Sequence, residues 1–378
     1  MNKKYLLIIF LLVFVLGYYL GQTEKPIIKP APQEKADMTL FWETWNLVEE
    51  KYVDQVNNQD LMYGAIKGMV SALKDPYSTF MTPEENKQFM EDMQGSFEGI
   101  GAEIGIRDNI LTIIAPLEGM PAEKAGLKAG DKVIKVDDKS TAEMTLDQAV
   151  RLIRGPKNTD IILTVLRNGE SKAIKITRSK IDIKSVKLEQ KDNNIVYIDI
   201  SGFLQDTSRE FAIAAAQVLL SNPKGIILDL RNNPGGYLDQ AVDVAGWFVD
   251  RGEVIAIEDF GNGEQTEHKA FGNARLKNYP IVILVNQGSA SGSEILAGAL
   301  RDLRGVKLIG EKTFGKGSVQ ELENLENKSS LRITVAKWLT PDGYCIHEKG
   351  LEPDIAVLDD PKTEDIDEQL EEAMVILR

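Results

Sequence analysis

Pro280-Ile281-Val282-Ile283-Leu284-Val285-Asn286-Gln287-Gly288-Ser289-Ala290-Ser291-Gly292-Ser293-Glu294 opens as an uninterrupted apolar run. It then turns through glycines and serines into a helical pattern, Ser293 to Leu303. An apolar run without alternation marks a strand buried on both faces, as in a sheet covered by helices. Working outward, Gly225-Ile226-Ile227-Leu228-Asp229-Leu230 repeats the pattern, with a turn at Asn232-Asn233-Pro234-Gly235-Gly236 and a helix from Leu238 to Phe248. Val196 to Ile200 is a short strand before an alanine-rich helix, Asp206 to Leu220, and Lys307-Leu308-Ile309-Gly310 is strand-like. Strands alternating with helices predict an α/β core over residues 181–358.

The flanking segments differ in character. Residues 95–180 hold short strands and one helix near Leu146 to Ile153, and a hairpin turn at Arg167-Asn168-Gly169-Glu170, which predicts a small, partly open β-barrel. Residues 38–94 read as a helical region. Phe41, Trp45, Val48 and Tyr52 form one stripe and Leu61, Ala65, Met69 and Leu73 another; Pro83 opens a third helix to about Met93. The stripes are expected to pack in a core; left exposed, they would pair copies into a homo-oligomer. Residues 22–37, with Pro26, Pro30 and Pro32, read as a flexible tether. Residues 1–21 carry Lys3 and Lys4 ahead of an apolar run from Tyr5 to Leu20, which predicts an uncleaved signal anchor with the body on the extracytoplasmic side. Cleavage there would instead give a secreted protein. Residues 359–378 end in an acidic amphipathic helix expected to dock on the core or on a neighbouring subunit.

The 378 residues suffice for two or three domains. The 58 acidic and 44 basic residues leave a formal net charge of −14, against the basic face that general nucleic-acid binding requires. One cysteine, Cys345, excludes an intrachain disulfide, and two histidines, His268 and His347, give little material for a zinc centre. No metal or organic cofactor is expected.

Ser291 follows a buried strand and directly precedes a helix, where the positive helix end favours developing negative charge. Ser289 and Ser293 are alternatives, and a helix cap is the bland reading of all three. Lys316, in Phe314-Gly315-Lys316-Gly317, is a candidate base, provided burial depresses its amine enough to leave it neutral. Gln320 would orient it. The loop lacks the spacing of a nucleotide-binding P-loop.

Three segments carry a resemblance: Asp229 to Gly236, Val285 to Glu294, and Gly310 to Gln320, with Gly350-Leu351-Glu352-Pro353-Asp354 as a fourth. They are similar to the C-terminal processing peptidases, or tail-specific proteases. Residues 95–180 resemble a PDZ domain, through Phe97-Glu98-Gly99-Ile100-Gly101 and the run Pro121 to Val136. The resemblance implies a multidomain α/β protein with an inserted-type PDZ β-barrel and a crotonase/ClpP-like α/β protease core. It implies Ser291 as nucleophile, Lys316 as base and Gln320 as orienting residue. The oxyanion hole would use Gly292 with Gly235 or Gly236, between which the sequence does not choose. Gly99, Ile100, Gly101 and Ala102 would take a peptide carboxylate, and Arg154 would gate the site. The family commonly has alanine where this chain has Gly292, which predicts a floppier loop. The expected partners are proteins with accessible C-terminal tails. The main rival is a non-catalytic PDZ scaffold in the cell envelope, and a small-molecule hydrolase or isomerase is a second.

Overall fold

The computed structural model describes residues 36–107, 109–358 and 366–378. The expected anchor, 1–21, and most of the tether lie outside them. Among the described residues no helix is long and apolar enough to cross a membrane. The chain divides into two units, one ending at Met62 and the other starting at Tyr63.

In the first unit lies α1 (Thr39–Lys51), and α2 (Asn58–Ser71) runs across the division. The expected packing of their stripes is not what is observed. No residue of α1 is buried, and Phe41, Trp42 and Trp45 pack on one another with ring centroids 5.0 to 5.9 Å apart. On α2 only Val70 is buried, while Met69, and Leu73 just past the helix end, are exposed. A helical period reports an apolar face but not what covers it.

The second unit continues with β1 (Thr79–Met81) and α3 (Pro83–Gln94). Thr82 and Glu85 form a reciprocal capping box at the start of α3, with proline in the first turn, and Gly95 in the left-handed region ends it. A β-rich module follows, made of β2 (Ser96–Gly99), β3 (Ala102–Arg107), β4 (Ile110–Pro116), α4 (Pro121–Lys124), β5 (Lys132–Val136), β6 (Lys139–Ser140), α5 (Leu146–Ile153), β7 (Asp160–Arg167), β8 (Glu170–Thr177) and β9 (Ser179–Asp182). Its sheet runs β3-β4-β5-β7-β8 with β6 on β5, and β2 pairs with β9 to close the two ends of the module. Ile161, Leu163 and Val165 alternate inward on β7 onto Ile113 and Val133. Arg178, nearly buried, donates to the Leu152 and Ile153 carbonyls, capping the last turn of α5.

The core contains β10 (Val186–Lys191), β11 (Ile195–Ile200), α6 (Thr207–Ser221), β12 (Gly225–Asp229), α7 (Leu238–Ala245), β13 (Val254–Asp259), β14 (Gln265–Lys269), β15 (Ile281–Val285), α8 (Gly292–Arg304), β16 (Lys307–Gly310), β17 (Ser318–Asn324), β18 (Ser330–Leu339), β19 (Ile355–Ala356) and α9 (Glu368–Ile376). One sheet has the order β10-β11-β12-β15-β16-β19, parallel from β11 to β19. Every residue of β12 and β15 is buried, because successive side chains serve opposite faces. Ile226, Leu228 and Ile283 pack with residues of α6, α7 and α8, while Ile227, Val282 and Leu284 meet Ala373 of α9. Of the two expected destinations of the terminal helix, it therefore takes the core. Arg231 locks it there, with bidentate bonds of 2.8 Å to Asp367 and further bonds to Asp229. Burial pushes the Asp367 carboxyl up, but the guanidinium outweighs it and holds the group below the usual carboxylate range.

A second, antiparallel sheet runs β1-β18-β13-β14, with β17 also on β18. Strand β1 from the expected helical region is thus an edge of the core, Thr79 opposite Arg332. This sheet forms one wall of the candidate site.

Candidate active site

The turn after β15 is held rigidly. The Ser289 hydroxyl donates to Leu230 O and that of Ser293 to Asn233 O, and both side chains are fully buried. Asn286 and Asn232 exchange two further bonds across the turn. Of the three serines, Ser291 alone lines a cavity of about 710 Å³. Its backbone sits at φ 53°, ψ −112°, a strained conformation for a residue with a Cβ and of a kind that clusters at functional sites.

Lys316 lines the same cavity from the loop between β16 and β17. Burial lowers its pKa, nearby Arg332 adds to this, and Glu294 opposes it. The ammonium lies 5.5 Å from the Tyr77 ring centroid. No hydrogen bond joins Ser291 Oγ to Lys316 Nζ among the described residues. The expected contact of Gln320 with the lysine is not made either. Its Nε2 donates to Ser318 Oγ at 2.7 Å, two positions back on the same face of β17.

What joins the two loops is Glu294, which the sequence reading passed over. Fully buried, its Oε1 accepts from Thr313 Oγ1 at 2.5 Å and Gly315 N–H at 2.8 Å. Its Oε2 accepts from Ser291 N–H and Lys316 N–H, both at 2.9 Å. Desolvation raises the carboxyl pKa against these donors, of which three are backbone N–H groups that only donate. The Ser-x-x-Glu spacing of a capping box was the available signal.

The oxyanion alternatives also separate. Gly235 N–H is taken by Asn233 Oδ1 at 2.9 Å, whereas Gly236 and Gly292 N–H have no partner among the described residues. Gly236 is fixed by a parallel bridge to Phe203. At Gly235, φ is +97° and a Cβ would lie 2.7 Å from that of Ser291, so this approach requires glycine. A Cβ at Gly292 would lie 2.9 Å from the Phe203 ring. Glycine therefore fits the packing of Phe203, which the expectation of a merely looser loop did not include.

In the β-rich module, Gly99, Ile100, Gly101 and Ala102 line a groove of about 110 Å³ with Ile104, Val150, Ile153 and Arg154. The Ile100 and Gly101 N–H groups have no partner among the described residues, as a carboxylate would need. The Arg154 guanidinium lies over the Phe97 ring at 4.2 Å, with Nη1 2.7 Å from Asp92 Oδ1. Phe97 and Asp92 line the Ser291 cavity, so Arg154 touches both compartments. Cys345, His268 and His347 do not line the cavity.

Comparison with known proteins places this architecture. The model of peptidase family S41 matches residues 194–357, that of the activating protease CtpB N-terminal domain residues 22–85, and that of a PDZ domain residues 112–167. The chain is 43% identical over 309 residues to the carboxy-terminal processing protease CtpA of Bacillus subtilis (strain 168), covering 82% of this chain and 66% of that protein. It is 42% identical over 333 residues to a probable CtpA-like serine protease of Staphylococcus aureus (strain MRSA252), covering 87% and 66%. The chain thus spans about two thirds of the length of these curated relatives. Among solved structures, a photosystem II D1 C-terminal processing protease aligns with TM-score 0.55 at 29% identity, covering 89% of this chain and 96% of that one. The fold is a mixed α/β protease core carrying a PDZ domain.

Proposed function

The chain belongs to peptidase family S41, and from that premise we propose that it is a carboxy-terminal processing serine endopeptidase with a Ser291–Lys316 dyad. The observation that carries this reading is that Ser291 and Lys316 line one cavity and hang from the single carboxylate of Glu294. An unfolded protein tail places its carboxylate on the Ile100 and Gly101 N–H groups and extends along the groove edge. Neutral Lys316 takes the Ser291 proton as Oγ attacks the peptide carbonyl. Gly236 and Gly292 N–H hold the oxyanion, and the lysine returns the proton to the leaving amine. Water then cleaves the acyl-enzyme by the same path. The missing Ser291–Lys316 bond and the Gln320–Ser318 bond mark what substrate must tighten, since catalytic hydrogen bonds are often long without substrate. Gln320 orients the lysine once released from Ser318.

Lys3, Lys4 and the apolar run Tyr5 to Leu20 support a single-pass anchor with the catalytic body outside the cytoplasm. Leu40, Trp42 and Leu47 of α1 are exposed and no residue of the helix is buried, which supports a homo-oligomer, a second copy supplying the cover.

The test is digestion of an unfolded protein bearing an apolar C-terminal tail by the full chain, read by mass spectrometry. Internal cleavage that depends on the free tail carboxylate is expected. Tail binding without any product would favour the scaffold.

Arg154 is proposed to couple groove and cavity through Phe97 and Asp92. Arg154→Ala is expected to lower turnover about tenfold while leaving tail affinity, read by fluorescence anisotropy, far less changed. Equal losses in both would reduce Arg154 to a groove residue.

A further inference from the structure

The Ser291 cavity contains a carboxylate that the proposed reaction does not use. Glu258 lies on β13 directly opposite Trp338 on β18, and both line the cavity with Leu238, Ile295 and Val319. This wall adjoins the reacting groups. Trp338 N–H donates to Gly317 O, next to Lys316, at 2.7 Å, and Ile295 N–H donates to Ser291 O at 2.9 Å. The Glu258 side chain is 15% exposed. Its Oε2 lies 3.1 Å from His268 Nε2, and the imidazole meets the Trp338 ring edge-on. Oε1 has no partner among the described residues, and Glu258 lines the cavity. No ion pair joins Glu258 to Lys316 among the described residues; its recorded partner is His268. Arg332 is six positions from Trp338 along β18, roughly 20 Å at the usual strand rise.

A largely buried carboxylate with the His268 imidazole on one oxygen and no partner on the other suits a cation. The surrounding apolar side chains suit the methylene stem of a long basic residue, whose charged tip would reach Oε1. We infer that Glu258 is a specificity-determining residue that reads a lysine or arginine of the substrate close to the scissile bond. This rests on the peptidase reading above. It adds to tail recognition, which takes place in the PDZ groove, a second requirement within the protease core.

The test uses the full chain and peptides that share one apolar tail. A single lysine is walked through the positions flanking the cleaved bond, against norleucine at the same positions. Cleavage is read by mass spectrometry, and binding by anisotropy with the Ser291→Ala chain. At one register lysine should be preferred about tenfold. Glu258→Gln should bring that ratio close to one. Glu258→Lys should make glutamate the preferred residue at the same register, a gain that misfolding cannot mimic. A ratio near one at every register, or a preference unchanged in Glu258→Gln, overturns the inference. If the parent binds with the Glu258-dependent preference but yields no product, the inference stands and the peptidase reading fails.

Discussion

Replacing Lys316 by methionine is expected to remove turnover by on the order of 10⁴-fold or more, while raising the melting temperature by about 2 °C or more. The two effects share one cause. Burial and Arg332 lower the lysine pKa in the folded chain relative to the unfolded one. Between the two values the unfolded chain binds more protons, so stability rises with pH across that window. Below it, folding pays to keep a cation in a half-buried site beside another cation. Methionine keeps the stem and removes the charge, so that cost disappears along with the base. In the parent, activity should rise with pH as the lysine loses its proton, with a midpoint below the usual lysine range. Thermal melts and a pH–rate profile check both arms. Tail cleavage by the variant under single-turnover conditions would remove Lys316 from the role of base, and a lower melting temperature would show that the site stores no such cost.

How far the sequence was legible depended on where each signal lay. Strands β12 and β15 were plain because both faces are buried and every residue is apolar. The turns beside them were plain because close backbone approach leaves little but glycine and serine. Strand β14 was obscure: Gln265-Thr266-Glu267-His268-Lys269 is polar throughout and largely exposed, so no hydrophobic period marks it. Strand β1 has three residues and owes its existence to pairing with β18, more than two hundred positions away. Ser291 was one of three serines until burial removed Ser289 and Ser293 from the cavity. Gly235 and Gly236 were equivalent until Asn233 claimed one amide. For the serines the deciding bonds join segments about sixty positions apart; for the glycines the bond is local, and the direction of the Asn233 side chain in the turn decides it; spacing alone encodes neither.

Glu294→Gln is expected to lower kcat by about 10² to 10³-fold and to cost about 2–4 kcal/mol of stability. The carboxylate serves two donors on each oxygen. An amide nitrogen cannot accept, so glutamine leaves Ser291 and Lys316 N–H facing a donor in one orientation and Gly315 N–H in the other, where the Thr313 hydroxyl can turn to accept. With the nitrogen toward Ser291 and Lys316, the nucleophile and base loops lose their shared acceptor. Tail affinity should be retained, because the PDZ groove does not touch this residue. A purely structural defect would lower the plateau of the pH–rate profile and leave its midpoint in place. Glu294 also acts on Lys316 electrostatically, raising its pKa against burial and Arg332. Without the charge the lysine gives up its proton more readily, so the midpoint of the residual activity should move to lower pH. A reduced plateau with an unmoved midpoint would leave Glu294 as a cap of α8, whereas the downward shift identifies it as the group that both positions the dyad and sets the basicity of its lysine.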